Sequence, residues 1–385
     1  LEMDLDGLDA FTVFQSIRRR YPRAFFFEAA PDPGRGPERT VIGIEPESVT
    51  LEELERLLIK QSEQAVEQVE QSTQTEQAEP TSSVRNASEV PYAAGGVFGC
   101  IGYDRVREFE PRLKRSGYFA RLDRQSEPAS GGLNRGGSNR DESDVELLFA
   151  RRLIVFEHGC RRIYLIQPTL IPEDETELIR NLIVTSDRVR ARPSSSRDES
   201  VRKGADLEPG RLTAMFGREG YLEGVRKLKN HILAGDIFQA VLAERFECEL
   251  RAPVIEVFRH LRRLQSSQYS FFFDFAQRTF MGASPEALIK IAGRRIETHP
   301  IAGTKPRGAS EREDEIQARR LLLSVKESAE HLMLVDLARN DLGRVSRPGT
   351  VRVSEFRAIM RLPNVMHLVS KVEAELTPGG SPLKA

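Results

Sequence analysis

Apolar side chains along the chain recur with two periods, and the switches between them mark out elements. In "REGYLEGVRKLKNHILAG" (218–235) Leu222, Val225, Leu228 and Ile232 fall on one stripe at helical spacing, with Gly235 placed to stop the helix. "RRLIVFEHGCRRIYLIQP" (151–168) carries two β-rich apolar runs around His158-Gly159, the pattern of a hairpin. Strand patterns then dominate from "IFQAVLAERFECEL" through "YSFFFDF", "TFMGAS" and "RRIETHPIAG", and helical patterns return after residue 311. Ser324 and Glu327 have capping-box spacing, which predicts a helix from Val325 that ends by Gly343. Leu332, Met333, Leu334 and Val335 occupy four successive helical positions, so this helix is expected to be buried on nearly every side. Strand runs followed by helix runs, rather than strict alternation, predict an α+β fold with a largely antiparallel sheet.

Composition interrupts that pattern. Residues 61–90, "QSEQAVEQVEQSTQTEQAEPTSSVRNASEV", hold almost no large apolar side chains and cannot offset the entropy lost on ordering, so they read as a mobile insertion. Gly/Ser-rich and charged stretches around residues 115–144 and 192–208 have linker character. The expected division is an N-terminal region over 1–112 containing the insertion, a flexible linker over 113–145, a hairpin and helix over 146–191, a second linker over 192–210, and a catalytic domain over 211–385.

Charge and cysteine content narrow the function classes. The 385 residues include 57 Lys and Arg against 58 Asp and Glu, a net charge of −1, which offers no electrostatic reason for nucleic acid or an anionic membrane as partner. A small ligand is favoured. Cys100, Cys160 and Cys248 lie far apart without CxxC spacing, as expected for reduced thiols in a cytoplasmic protein. Neither a secretory signal nor an apolar run near 18 residues is present.

Candidate chemistry begins at "AEHLMLVDLARNDLG" (329–343). Glu330 lies too deep in the expected helix for the N-terminal dipole alone to hold its charge, so it should face an Arg, a Lys or a metal ion; a structural salt bridge and a functional site are both open. His331 reads as a hydrogen-bonded packing histidine. "GASPE" (282–286) fixes Glu286 at a strand end, and "ETHPIAGTKPRG" (297–308) offers, at Gly303-Thr304, a backbone open to close approach plus a hydroxyl and N–H groups for an anion. In "NVMHLVSKV" (364–372) His367 sits among strand positions and by default is a satisfied core histidine.

In their order, "GDIFQAVLAERF", "GASPE", "PIAGTKPRG", "EHLMLVDLARNDLG" and "VMHLVSKV" resemble the motif series of the chorismate-utilising enzymes, specifically the large subunit (component I) of anthranilate synthase. "GGVFGCIGYD" (95–104) resembles that subunit's glycine-rich stretch. The resemblance implies an α+β fold with a large, mostly antiparallel core of two packed sheets flanked by helices, and a Mg2+-dependent lyase converting chorismate and ammonia to anthranilate and pyruvate. It implies a glutamine amidotransferase partner that supplies the ammonia. It assigns Glu330 as the metal ligand, Glu286 as the general acid for the departing C4 hydroxyl, Gly303 and Thr304 as substrate-carboxylate binders, and His367 as the residue assisting pyruvate loss. Two positions select among relatives. Gln239 stands where the water-adding relatives carry a lysine base, and Ala302 where aminodeoxychorismate synthases typically carry a nucleophilic lysine, so direct attack by ammonia is preferred. An aminodeoxychorismate synthase, or an inactive chain retaining the fold, are the alternatives. "FFFEAA" (25–30) and "QSSQYS" (265–270) replace the family's usual feedback motifs, with Ala29, Gln268 and Ser270 at altered positions, which implies weak or absent tryptophan inhibition. The family's pattern also continues past "TPGGSPLKA" with a second magnesium glutamate, so the chain is expected to be incomplete at its C-terminus and inactive alone.

Overall fold

The computed structural model describes residues 2–4, 8–30, 38–56, 96–102, 106, 145–167, 171–191, 212–264, 267–275, 278–362 and 364–380. The insertion at 61–90 and the linkers at 113–145 and 192–210 lie outside these residues, apart from Val145. The chain divides into two compact units, one formed by Leu1–Asp187 with Gln265–Ala385 and the other by Arg188–Leu264.

In the larger unit a seven-stranded antiparallel sheet runs β1-β8-β7-β3-β2-β11-β12, built from β1 (Glu2–Asp4), β2 (Ala24–Ala29), β3 (Arg39–Ile44), β7 (Arg152–Glu157), β8 (Arg162–Ile166), β11 (Tyr269–Asp274) and β12 (Thr279–Ser284). A three-stranded sheet of β4 (Glu47–Val49), β6 (Val145–Ala150) and β5 (Gly96–Ile101) packs on it. β2 reads as a continuous apolar run because both its faces are covered. Phe26 meets Phe14 of helix α1 (Ala10–Arg20) at 5.2 Å between ring centroids, and Phe25 meets Phe98 of β5 at 4.5 Å. Helix α2 covers Glu173–Ala191. The hairpin expected at His158-Gly159 is formed by β7 and β8.

A second sheet of the same unit is organised by one long strand. β17 (Val365–Glu375) pairs with β14 (Arg295–Thr298) and β15 (Ile301–Pro306) on one side and with β16 (Arg352–Arg361) on the other, while β13 (Lys290–Ala292) extends β14. Alternation along β17 sends Met366 and Leu368 against Ala318 and Leu321 of α5 (Glu311–Leu323), and Val372 and Ala374 against Val335 and Leu342 of α6 (Val325–Val345). His367, Val369 and Lys371 therefore share the opposite face.

The smaller unit contains β9 (Thr213–Ala214), α3 (Gly217–Ala234), β10 (Phe246–Glu247) and α4 (Val254–Leu264), with α3 stopped by Gly235 at φ 82 as expected. The strand expected across "IFQAVLAERFECEL" is confined to Phe246–Glu247. Phe238 and Val241 are each 91% exposed, and a segment without a packed face or a ladder partner gains nothing from extending into a strand.

Helix α6 departs from expectation in two ways. Its start is as foreseen, with Ser324 as N-cap accepting from Glu327 N at 3.3 Å. Its buried residues are only His331, Val335 and Leu342, a single stripe at helical spacing, while Leu332 is 58% exposed: α6 lies on one sheet face and is covered there alone. The helix also passes through Gly343, a tolerated interior glycine, and ends at Ser346, whose bridge to Leu376 ties the exit to the end of β17.

Two buried carboxylates fasten this half of the unit. Asp314 accepts from Arg307 Nε (2.7 Å) and Gly308 N (2.9 Å) and pairs with Arg361, and the Arg307 bond leads in lowering its pKa to about 2 from an ordinary 3.8. Burial pushes Glu373 up, but hydrogen bonds from Lys371, Arg295 and Arg352 outweigh it and bring the group to about 2 from 4.5. Depressed folded values mean stability that is complete above the unfolded pKa and is lost as pH falls through the folded one. Urea midpoints should therefore be level from pH 7 to 5 and decline steeply between about 4.5 and 2; a flat profile across that window would exclude both contributions.

Candidate active site

The face of β17 turned away from α5 and α6 borders a cavity of about 390 Å³ within the larger unit. Glu286, Lys290, His299, Glu355, Lys371 and Gln268 give it its polar lining, and Ile301, Ala358, Met360 and Val369 its apolar one. Glu286 reaches it from the turn after β12. Pro285 stiffens that turn, and Ser284 Oγ donates to Glu286 O at 2.9 Å, so the position is held by the backbone. Burial raises the pKa of the Glu286 carboxyl and favours its protonated form. Burial also lowers the His299 imidazole, against a smaller opposing influence of Glu297.

The cavity's sheet face continues to His367. Met360, which lines the cavity, pairs across β16 and β17 with His367, and on the other side Thr304 pairs with His367. His367 Nδ1 lies 3.2 Å from Gly303 O and 3.1 Å from Thr304 Oγ1. A carbonyl only accepts, so Nδ1 donates in the Gly303 contact. Gly303 produces this arrangement. It adopts φ 65 at a bulge between Ala302 and Thr304, which lets Ala302 stay buried opposite Leu368 while Thr304 comes beside His367.

Glu330 is half-buried on α6, one turn beyond Glu327. The sequence reading gave Glu327 only a capping role. Its N–H does bond Ser324, but Ser324 N donates to Leu321 O, so the reciprocal half of the capping box is absent. The Glu327 carboxylate instead reaches the Gly303 loop: Oε2 is 3.0 Å from where a Cβ on Gly303 would stand. The three-residue spacing of Glu327 and Glu330 places both on one helix face and was the signal available in the sequence. His331 is the packing histidine expected, fully buried with Nε2 2.6 Å from Ser370 Oγ.

In the larger unit Glu286, Thr304 and His367 lie on the cavity side of the sheet, whereas Ala302, opposite Leu368, and Glu330 on α6 lie on the side that the helices cover, with Gly303 at the bulge between. Gln239 is an exposed residue of the smaller unit, between α3 and β10. The feedback-motif segments meet as neighbouring strands, with Ala29 opposite Tyr269 and Glu28 opposite Ser270 in β2 and β11; Gln265 and Ser266 lie outside the described residues. Among the described residues no helix is long and apolar enough to cross a membrane.

A carboxyl whose pKa burial raises, a histidine tied to a glycine bulge and a carboxylate behind that bulge make up the candidate site of this α+β chain. Residues 22–385 match the chorismate binding enzyme family, and the chain belongs to it, among its anthranilate synthase component 1 members. It is 32% identical to anthranilate synthase component 1 of Bacillus caldotenax over 398 aligned residues, covering 99% of this chain and 73% of that protein. It is 38% identical to the Thermus thermophilus protein of the same name over 301 residues, covering 77% of this chain and 58% of the relative's length. The crystal structure of anthranilate synthase component I from Streptococcus pneumoniae superposes with a TM-score of 0.58 at 28% identity, covering 78% of this chain and 62% of that one. The menaquinone-specific isochorismate synthase of Escherichia coli, at 14% identity and a TM-score of 0.55, shares the fold.

Proposed function

We propose that this protein is the ammonia-adding subunit of an anthranilate synthase, taking chorismate and ammonia to anthranilate, pyruvate and water. The observation that carries this reading is the half-buried Glu286, its pKa raised by burial, at the cavity bordered by the sheet face that carries His367 and Thr304. Ammonia forms its bond at C2 of the ring while the C4 hydroxyl departs with the proton of Glu286 as water. A poor leaving group needs that proton, and burial, by raising the Glu286 pKa, favours the carboxyl form that can give it. In the second step His367 Nε2 takes the C2 proton as the enolpyruvyl C–O bond breaks; the released enolpyruvyl is protonated to pyruvate and the ring becomes aromatic. The Gly303-Thr304 bulge orients a substrate carboxylate. Buried Ala302 offers no amine to attack the ring, which leaves ammonia as the nucleophile.

Glu330, with Glu327 one turn earlier, would hold Mg2+. Among the described residues no group of three or more His, Cys, Asp or Glu is placed to cage a metal. A pair of carboxylates suits magnesium, which keeps several waters and is commonly shared with an anionic substrate, and does not suit zinc. When bound it supplies Lewis-acid anchoring of a substrate carboxylate. A glutamine amidotransferase is the proposed source of ammonia. The full-length protein, incubated with chorismate, ammonium and magnesium, should yield a product with the mass and fluorescence of anthranilate. Accumulation of aminodeoxychorismate, or unconsumed chorismate, would remove the proposal.

A further inference from the structure

Gln268 stands at one of the altered feedback-motif positions and is buried, yet it lines the Glu286 cavity. Three of its groups are engaged. Its backbone carbonyl accepts from Ala30 N at 2.8 Å, at the end of β2. Its side-chain amide donates to Pro285 O at 3.3 Å, and its amide oxygen accepts from Lys290 Nζ at 3.3 Å. The opposite amide orientation would set oxygen against the carbonyl and nitrogen against the ammonium, so the surroundings fix this one.

We infer that Gln268 is a positioning residue that fastens the Pro285-Glu286 turn and Lys290 to the end of β2, and so sets where the Glu286 carboxyl lies in the cavity. The inference rests on the reading of Glu286 as the acid only for its catalytic consequence; the placement itself is testable without turnover. A turn held at Pro285 keeps the next side chain inward, where burial favours its neutral form. The charged and titratable groups lining the cavity around Glu286 are Lys290, Lys371, His299 and Glu355, and Gln268 holds the first of them. Lys371 is held separately, 3.0 Å from both Glu297 and Glu373.

Two substitutions move the Glu286 midpoint in opposite directions. Gln268→Ala frees the turn, lets the carboxyl approach water and lowers the midpoint toward the ordinary carboxylate range. Gln268→Glu keeps an acceptor for Lys290 but puts a second carboxylate in the cavity, which raises the midpoint of Glu286. NMR titration of the protein labelled with 13C at glutamate carboxyls, with the Glu286 resonance assigned from its loss in Glu286→Gln, reads both shifts. Opposed shifts of the two variants, with thermal midpoints near wild type, would support the assignment. Identical titration of wild type and both variants would overturn it, as would shifts in the same direction. Activity separates the two claims. If the midpoints move as stated while Glu286→Gln retains turnover, Gln268 positions the turn but Glu286 is not the acid; if Glu286→Gln is inactive and the midpoints do not move, the acid stands and Gln268 is only packing.

Discussion

Replacing Glu286 with glutamine is expected to lower kcat for anthranilate formation by about 10²–10⁴-fold, the range typical of a lost general acid. That corresponds to roughly 3–5 kcal/mol of barrier. Glutamine keeps the size and the turn held by Ser284, and it can still donate an N–H, but it has no proton to give to a departing hydroxyl. KM for chorismate should change much less, since the missing interaction is made in the transition state. The pH dependence supplies an independent check. Burial raises the Glu286 pKa, and the protonated form is the active one, so wild-type turnover should persist above the ordinary carboxylate range and fall as pH rises through that raised value. In Glu286→Gln the residual rate should lose that alkaline limb. A variant within threefold of wild type, or one that keeps the limb, would show that the hydroxyl leaves by another route.

How much of this was readable before the structure depends on what each residue needed. The capping serine, the hairpin at His158-Gly159 and the glycine stop of α3 are local devices, and sequence spacing located them. The exposed stretch around Phe238 and Val241 was misread as strand because apolar content measures the capacity to be buried, not the presence of a partner. The same reasoning overestimated the burial of α6. Motif order singled out Glu286, Gly303, Thr304 and His367 as candidates, but not the shared face of Thr304 and His367, which depends on β17 pairing with β15 and β16 and on the bulge at Gly303. Glu327 was hidden by its better-known role, since one capping-box spacing accounted for it until Ser324 N proved to be satisfied by Leu321 O. Gln268 was noticed as a departure from a pattern, and only the geometry connects it to the acid.

That bulge is the place where backbone conformation, helix packing and candidate chemistry meet, and Gly303→Val should damage all three. At φ 65 a β-branched residue carries a penalty of about 1–2 kcal/mol from its Cβ alone. The new Cβ would stand 2.7 Å from Leu321 Cδ1 and 3.0 Å from Glu327 Oε2. Leu321 is fully buried in the cluster with Ala318, Met366 and Leu368 and has no space to retreat, which adds about 1–3 kcal/mol of overpacking. Glu327 yields more easily, but only by swinging its carboxylate away from the loop. Gly349→Val isolates the backbone component, because Gly349 has φ 81 with nothing within 4 Å of a Cβ. Urea unfolding should show the Gly349 variant losing about 1–2 kcal/mol and the Gly303 variant roughly 2–5 kcal/mol. Anthranilate formation, measured where both variants remain folded, should survive the first substitution and be lost in the second, with a higher magnesium requirement for any residual rate. Equal losses of stability in the two variants would mean that Leu321 and Glu327 move aside freely; full activity in folded Gly303→Val would detach this loop from substrate and metal alike.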